Sequence, residues 1–107
     1  MPIMGMIKGE IRMRYVLING STATIAVDGR YDLCKTVEVQ VELTQAYQQG
    51  CTKVCVDFSK TTYIDSSAIR DLVKTRRKVT PENFSGVHAG GVVLAALKAA
   101  KLDSWLK

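Results

Sequence analysis

At 107 residues the chain fits one domain, long enough to bury a core and too short for two. Apolar residues make up 47% of it, which argues against a disordered chain, and no apolar run approaches the roughly 20 residues that a membrane span needs. The net charge of +5 admits nucleic acid, an acidic protein surface or a solvated face as its explanation. Nucleic acid fits worst, because the basic cluster Lys74, Arg76, Arg77 and Lys78 has no interleaved aromatics and belongs to no recognisable nucleic-acid module.

Residues 1–10 are apolar in character (Ile3, Met4, Met6, Ile7) but lack the charged region, long apolar stretch and small-residue cleavage site of a secretory signal. A cytoplasmic location is the expectation. The three cysteines, Cys34, Cys51 and Cys55, are odd in number, the Cys51/Cys55 spacing has no second pair with which to build a zinc site, and the single histidine, His88, leaves no material for a multi-histidine centre, so the cysteines read as small hydrophobes and no metal is expected.

Residues 11–18 begin with the alternation of an edge or half-buried strand, together with basic Arg12 and Arg14. Asn19-Gly20 suits the positive φ angles of a tight hairpin, and residues 22–27 form its second strand, stopped by Asp28-Gly29. Residues 36–49 carry two patterns at once. Val37, Val39, Val41 and Leu43 alternate as in a strand, while Val39, Leu43, Ala46 and Tyr47 fall on one helical stripe. Length, a capping Thr36 and a left-handed Gly50 after the end favour the helix.

Residues 53–58 (Lys-Val-Cys-Val-Asp-Phe) read as a buried strand, followed by a turn at 59–62. Tyr63-Ile64-Asp65-Ser66-Ser67 then opens a helix whose Asp and Ser residues satisfy free N–H groups. That helix should bury Ile69, Leu72 and Val73, with Arg76 at the fringe, and should end at Thr80-Pro81. A short strand at 84–88, a turn at 89–91 and a last helix at 92–100 follow. Leu102, Trp105 and Leu106 should fasten the tail to the core. The order β-β-α-β-α-β-α predicts an α/β fold with a mixed sheet of about four strands, an N-terminal hairpin and three main helices.

The residues with most to say about chemistry are Asp65, Ser66 and Ser67. They would cap a helix in any case, worth about 0.5–2 kcal/mol. An exposed hydroxyl at a helix N-terminus is also a place where a phosphate is stabilised by unpaired N–H groups and the helix dipole, while the adjacent Asp65 would repel it. A hydrolase would need an oriented base for the serine; His88 has no evident acid partner and there is no Gly-x-Ser-x-Gly elbow. Gly90-Gly91 is no P-loop, and Asp57 with Asp65 lacks the third acid of a carboxylate-metal set.

Residues 54–59 (Val-Cys-Val-Asp-Phe-Ser) and 63–69 (Tyr-Ile-Asp-Ser-Ser-Ala-Ile) resemble the signature of STAS domains of the bacterial anti-sigma factor antagonist type. Residues 27–33 resemble the family's segment after the early strand, and Val93, Leu97, Lys101, Leu102, Asp103 and Leu106 its last helix and turn. The resemblance covers about residues 20–106 of a single domain spanning 1–107. It implies a STAS-like fold and a partner-switching regulator that is a substrate and ligand rather than an enzyme, with no cofactor. The implied partners are a serine kinase or anti-sigma factor with a histidine-kinase-like ATPase domain and a PP2C-like phosphatase, without nucleic acid or membrane, and the chain itself would be a monomer or weak dimer. The implied phosphorylation site is Ser66, with Ser67 second, and the implied docking residues are Asp28, Tyr31, Asp32, Asp65, Ser67, Ala68 and Arg70. Ala68 stands where the family more often has glycine, and Arg70 where relatives are often small; Arg70 would pair with Asp71 or clash with a partner. The alternative is a STAS-like scaffold in a larger assembly whose serines only cap the helix.

Overall fold

The computed structural model describes residues 10–106; the apolar residues of segment 1–9, Lys8 and Lys107 lie outside the described residues. The chain runs β1 (Glu10–Arg12), β2 (Val16–Asn19), β3 (Thr22–Ala26), β4 (Gly29–Tyr31), α1 (Leu33–Gln48), β5 (Lys53–Asp57), β6 (Thr61–Ile64), α2 (Ser66–Val79), β7 (Phe84–Val87) and α3 (Gly91–Ala99). Short 3-10 turns at Pro81–Asn83 and Asp103–Trp105 complete it. The main sheet has the order β1-β2-β3-β5-β7, antiparallel through β3 and parallel from β3 to β7. It is the mixed sheet with three helices that the sequence predicts.

The differences are local and have physical causes. Residues 11–18 form two strands rather than one, because Met13 N–H donates to the Val16 carbonyl and folds β1 back on β2. In the β2–β3 hairpin Asn19 pairs with Thr22, so the two-residue loop is Gly20-Ser21, and only Gly20 takes a positive φ, of 62°. Helix α1 starts at Leu33, with Asp32 capping it through the Lys35 amide; Thr36 is buried and its hydroxyl donates to the Asp32 carbonyl. Gly50, at φ 97°, takes the left-handed place past its end. Residues 61–64, read as turn and helix opening, are the strand β6, paired in parallel with β4 in a separate small ladder.

The core lies between the sheet and its helices. Val16, Ile18, Ala23, Ile25, Val54 and Val56 come from the strands, and Val39, Leu43, Ala46, Ala68, Leu72 and Leu97 from the helices. On α2, Leu72 is buried as expected, while Ile69, Val73 and Arg76 are half-buried. Trp105 is buried edge-on against Phe84, their ring centres 5.1 Å apart, and Leu106 bridges to Gly86 on the outer side of β7. Cys51 is buried, Cys55 half-buried and Cys34 exposed, all as free thiols.

Candidate functional site

The β4–β6 ladder brings together two segments that are far apart in sequence. Arg30 pairs with Tyr63 and Tyr31 with Ile64, and the Asp65 amide donates to the Tyr31 carbonyl. Each strand leads directly into a helix through an aspartate, Asp32 for α1 and Asp65 for α2. Two helix N-termini therefore sit side by side beyond the C-terminal ends of the parallel strands, where open α/β sheets place their ligands.

Asp65 accepts from the Ala68 amide at 3.0 Å and from the Ser67 hydroxyl at 2.5 Å. The Ser67 hydroxyl and the amides of Ala68, Ser67 and Leu33 hold its carboxyl below the usual carboxylate range, against a smaller upward push from burial. Asp65 is thus a charged cap at neutral pH. Ser66, the first residue of α2, is exposed, and its hydroxyl makes no side-chain hydrogen bond among the described residues. Ser67 is half-buried and committed to Asp65.

The other residues singled out from the sequence divide by burial. Asp28 and Arg70 are exposed and Asp32 is half-buried beside the tip. Arg70 makes no ion pair with Asp71, whose carboxylate instead accepts from Gln40. Tyr31 and Ala68 are both fully buried, so neither has surface to offer a partner; they lie beneath the tip. Tyr31 points inward because alternation along β4 turns Arg30 out and Tyr31 in. Its hydroxyl has no hydrogen-bond partner among the described residues, and burial pushes its pKa up.

Sequence reasoning missed Arg30, Leu33 and Tyr63. Arg30 lies over the Tyr63 ring, 4.5 Å from its centre, and Leu33 is 61% exposed at the first turn of α1. The signal for Leu33 was available: an aliphatic residue directly after an Asp cap, off the buried stripe of its helix. Arg30 and Tyr63 become visible only once β4 and β6 pair.

Elsewhere at this end, Asp57 accepts from the Ser59 amide and His88 is exposed at φ 61°. Among the described residues no three His, Cys, Asp or Glu side chains are grouped to hold a metal ion, and no helix is long and apolar enough to cross a membrane.

A family model described as "Mlab, STAS domain" matches residues 16–107. Among solved structures, the unphosphorylated anti-sigma factor antagonist SpoIIAA superposes with a TM-score of 0.69 at 17% identity, covering 81% of this chain and 78% of that one. An anti-sigma factor antagonist from Mycobacterium paratuberculosis gives 0.69 at 18% identity, covering 83% and 77%. The phosphorylated form of SpoIIAA, a cell fate determinant of Bacillus, gives 0.63 at 16% identity, covering 81% of each chain. At these identities the likeness is one of fold. No curated protein matches the sequence.

Proposed function

The chain belongs to the STAS domain family, and from that premise we propose that it is a phosphorylation-controlled partner-switching regulator of the anti-sigma factor antagonist type. In this reading the unphosphorylated domain, a single unit acting as a monomer or weak dimer in the bacterial cytoplasm, docks on a serine kinase or anti-sigma-type protein with a histidine-kinase-like ATPase domain. The kinase transfers the γ-phosphoryl group of ATP to Ser66 Oγ, releasing ADP and the hydroxyl proton, and a PP2C-like phosphatase hydrolyses the ester. The chain is substrate and ligand, not enzyme.

The observation that carries this reading is the position of Ser66: exposed, with a free hydroxyl, on the first turn of a helix already capped by Asp65. Because Asp65 does the capping, esterifying Ser66 removes no cap. The helix N-terminus welcomes the phosphate, so α2 stays folded. The phosphate adds about two negative charges next to the ionised Asp65, and a partner that docked on the unphosphorylated tip meets repulsion and a desolvation cost. SpoIIAA, which shares this fold, has been solved in both unphosphorylated and phosphorylated forms, and this supports the reading.

The test is direct. Incubation with ATP and a serine kinase of the histidine-kinase-like fold, followed by peptide mapping, should place one phosphate on Ser66 and none in Ser66→Ala. Labelling that persists in Ser66→Ala moves the site to Ser67 or elsewhere. Ser66→Asp should bind the kinase about tenfold or more weakly than wild type; if Ser66→Ala and Ser66→Asp bind alike, the domain is a non-switching scaffold.

A further inference from the structure

The seam between α1 and α2 carries an arrangement that Ser66 does not use. Two ties cross it in the same order along both helices: Gln40 to Asp71 and Thr75, and Lys78 Nζ 5.0 Å from the centre of the Tyr47 ring. The helices therefore run parallel and side by side, as two successive crossovers between parallel strands require.

On the solvent side of that seam α1 presents Leu33, Val37 and Val41, which are 61%, 58% and 56% exposed. Their spacing of i, i+4 and i+8 puts them in one row. On the other side of the seam α2 presents Arg70, Lys74 and Lys78 at the same spacing, all exposed and none in an ion pair among the described residues. The Gln40–Asp71 and Tyr47–Lys78 ties set this row further along the seam, with Arg70 level with the gap between Val37 and Val41 and Lys78 beyond them. The acids of α1 are turned away: Glu38 meets Arg14, and Glu42 accepts from the Tyr15 and Val16 amides. Scattered exposed aliphatics are ordinary, but three in one row, with cations that have no carboxylate partner beside and beyond them, form a patch.

We propose that these two rows form a docking groove for an amphipathic helix of a partner protein, its apolar side chains on Leu33, Val37 and Val41 and its Asp or Glu flank along Arg70, Lys74 and Lys78. Charge selects this occupant. A second copy of the chain, itself at +5, would bring the same cations against these. Nucleic acid would leave the aliphatic row unused. An anionic bilayer shares the charge preference, but interfacial binding rests on a wide apolar face with aromatic or long anchors, and this row offers one Leu and two Val. A helix seated in a groove uses a short row of anchors with a charged flank. The groove begins at the first turn of α1, which starts beside α2 after the paired β4 and β6, so it deepens the reading of the Ser66 tip as part of a partner's docking surface and rests on that reading for the partner's role in a switch.

The experiment needs no phosphate, so it fails or succeeds separately from the Ser66 test. Two synthetic amphipathic helices of about five turns, identical in their Leu face but flanked by Glu in one and Lys in the other, are titrated into the full chain and followed by amide chemical shifts. The Glu-flanked peptide should bind, with perturbations centred on residues 33–41 and 70–78, and the Lys-flanked peptide should bind about tenfold or more weakly. Val37→Asp and Lys74→Glu, both at exposed positions, should each weaken the Glu-flanked peptide about tenfold with unchanged circular dichroism, and Lys74→Glu should gain affinity for the Lys-flanked one. Equal binding of the two peptides, perturbations elsewhere, or wild-type binding by both variants overturns the groove. So does co-sedimentation with phosphatidylglycerol vesicles that both variants abolish, without peptide binding, or a dimer in ultracentrifugation that Val37→Asp dissociates.

Discussion

Asp65 and Asp71 serve the same helix and are pushed in opposite directions by their surroundings. Donors around Asp65 lower its pKa, so its stabilising effect is present above the unfolded value and is lost as the pH falls through the lowered folded one. For Asp71, burial raises the pKa, with the Gln40 hydrogen bond and Lys74 offsetting part of the shift. The native state then holds its proton at pH values where the unfolded chain has lost it, so Asp71 subtracts stability as the pH rises from the ordinary 3.8 through the raised value. Asp71→Asn keeps an acceptor for Gln40 and has no charge to desolvate. It should match or exceed wild type in urea unfolding near pH 7, the gap closing in acid below the ordinary carboxylate range. Asp65→Ala should instead cost about 0.5–2 kcal/mol near pH 7, again with a gap that narrows in acid. An Asp71→Asn variant less stable than wild type at neutral pH would reject the sign of this argument. Only the Asp65 half was legible in the sequence, because a cap is local whereas the burial of Asp71 depends on a helix that starts at Leu33, far away in the chain. Tyr31 shows the same limit: its inward direction follows from β4, a strand too short to announce itself by pattern.

At the scale of elements, the ambiguity of residues 36–49 resolves into both patterns having meaning. The helical stripe Val39, Leu43 and Ala46 is the buried face of α1, and the other half of the valine alternation, Val37 and Val41, is left outside. A sequence shows which period wins by length and flanking residues, but not that the losing residues make a surface. The β4–β6 ladder was hidden for a related reason, since parallel pairing between distant segments leaves no turn signal. The strand β7 was legible as short; its Gly86 has a packing role that sequence could not reveal. A Cβ there would lie 2.9 Å from Phe58 Cε2 and 3.1 Å from Leu106 Cδ2, and Phe58 is itself buried. Gly86→Ala should therefore destabilise by about 1–3 kcal/mol through overpacking. Adding Phe58→Leu should return part of that loss, since the smaller side chain vacates the ring edge. A denaturation midpoint for Gly86→Ala equal to that of wild type would mean that the ring has room to move.

For the molecule as a whole, the five-stranded sheet has to manage the outer side of β7, where unpaired N–H and C=O groups would otherwise invite a foreign strand. The tail does this. Leu102 N–H donates to the Leu97 carbonyl at the end of α3, the chain turns through Asp103–Trp105, Trp105 seals against Phe84, and Leu106 bridges in parallel to Gly86. The apolar spacing of Leu102, Trp105 and Leu106 pointed to a docked tail, and the structure adds what it docks on. Trp105 is 5% exposed, so Trp105→Ala removes a buried aromatic and the anchor of the edge cover together. The expected cost is about 3–5 kcal/mol, a large share of the roughly 5–15 kcal/mol that holds a domain folded. Two measurements separate the anchor from mere bulk. In Trp105→Phe, which keeps an aromatic edge against Phe84, most of the stability should return. In Trp105→Ala, amide exchange should quicken in β7 before it does in β2 and β3, because the edge opens while the interior of the sheet stays paired. Exchange that rises equally in all three strands would mean that Trp105 serves the core at large, and that the edge of β7 is protected without it.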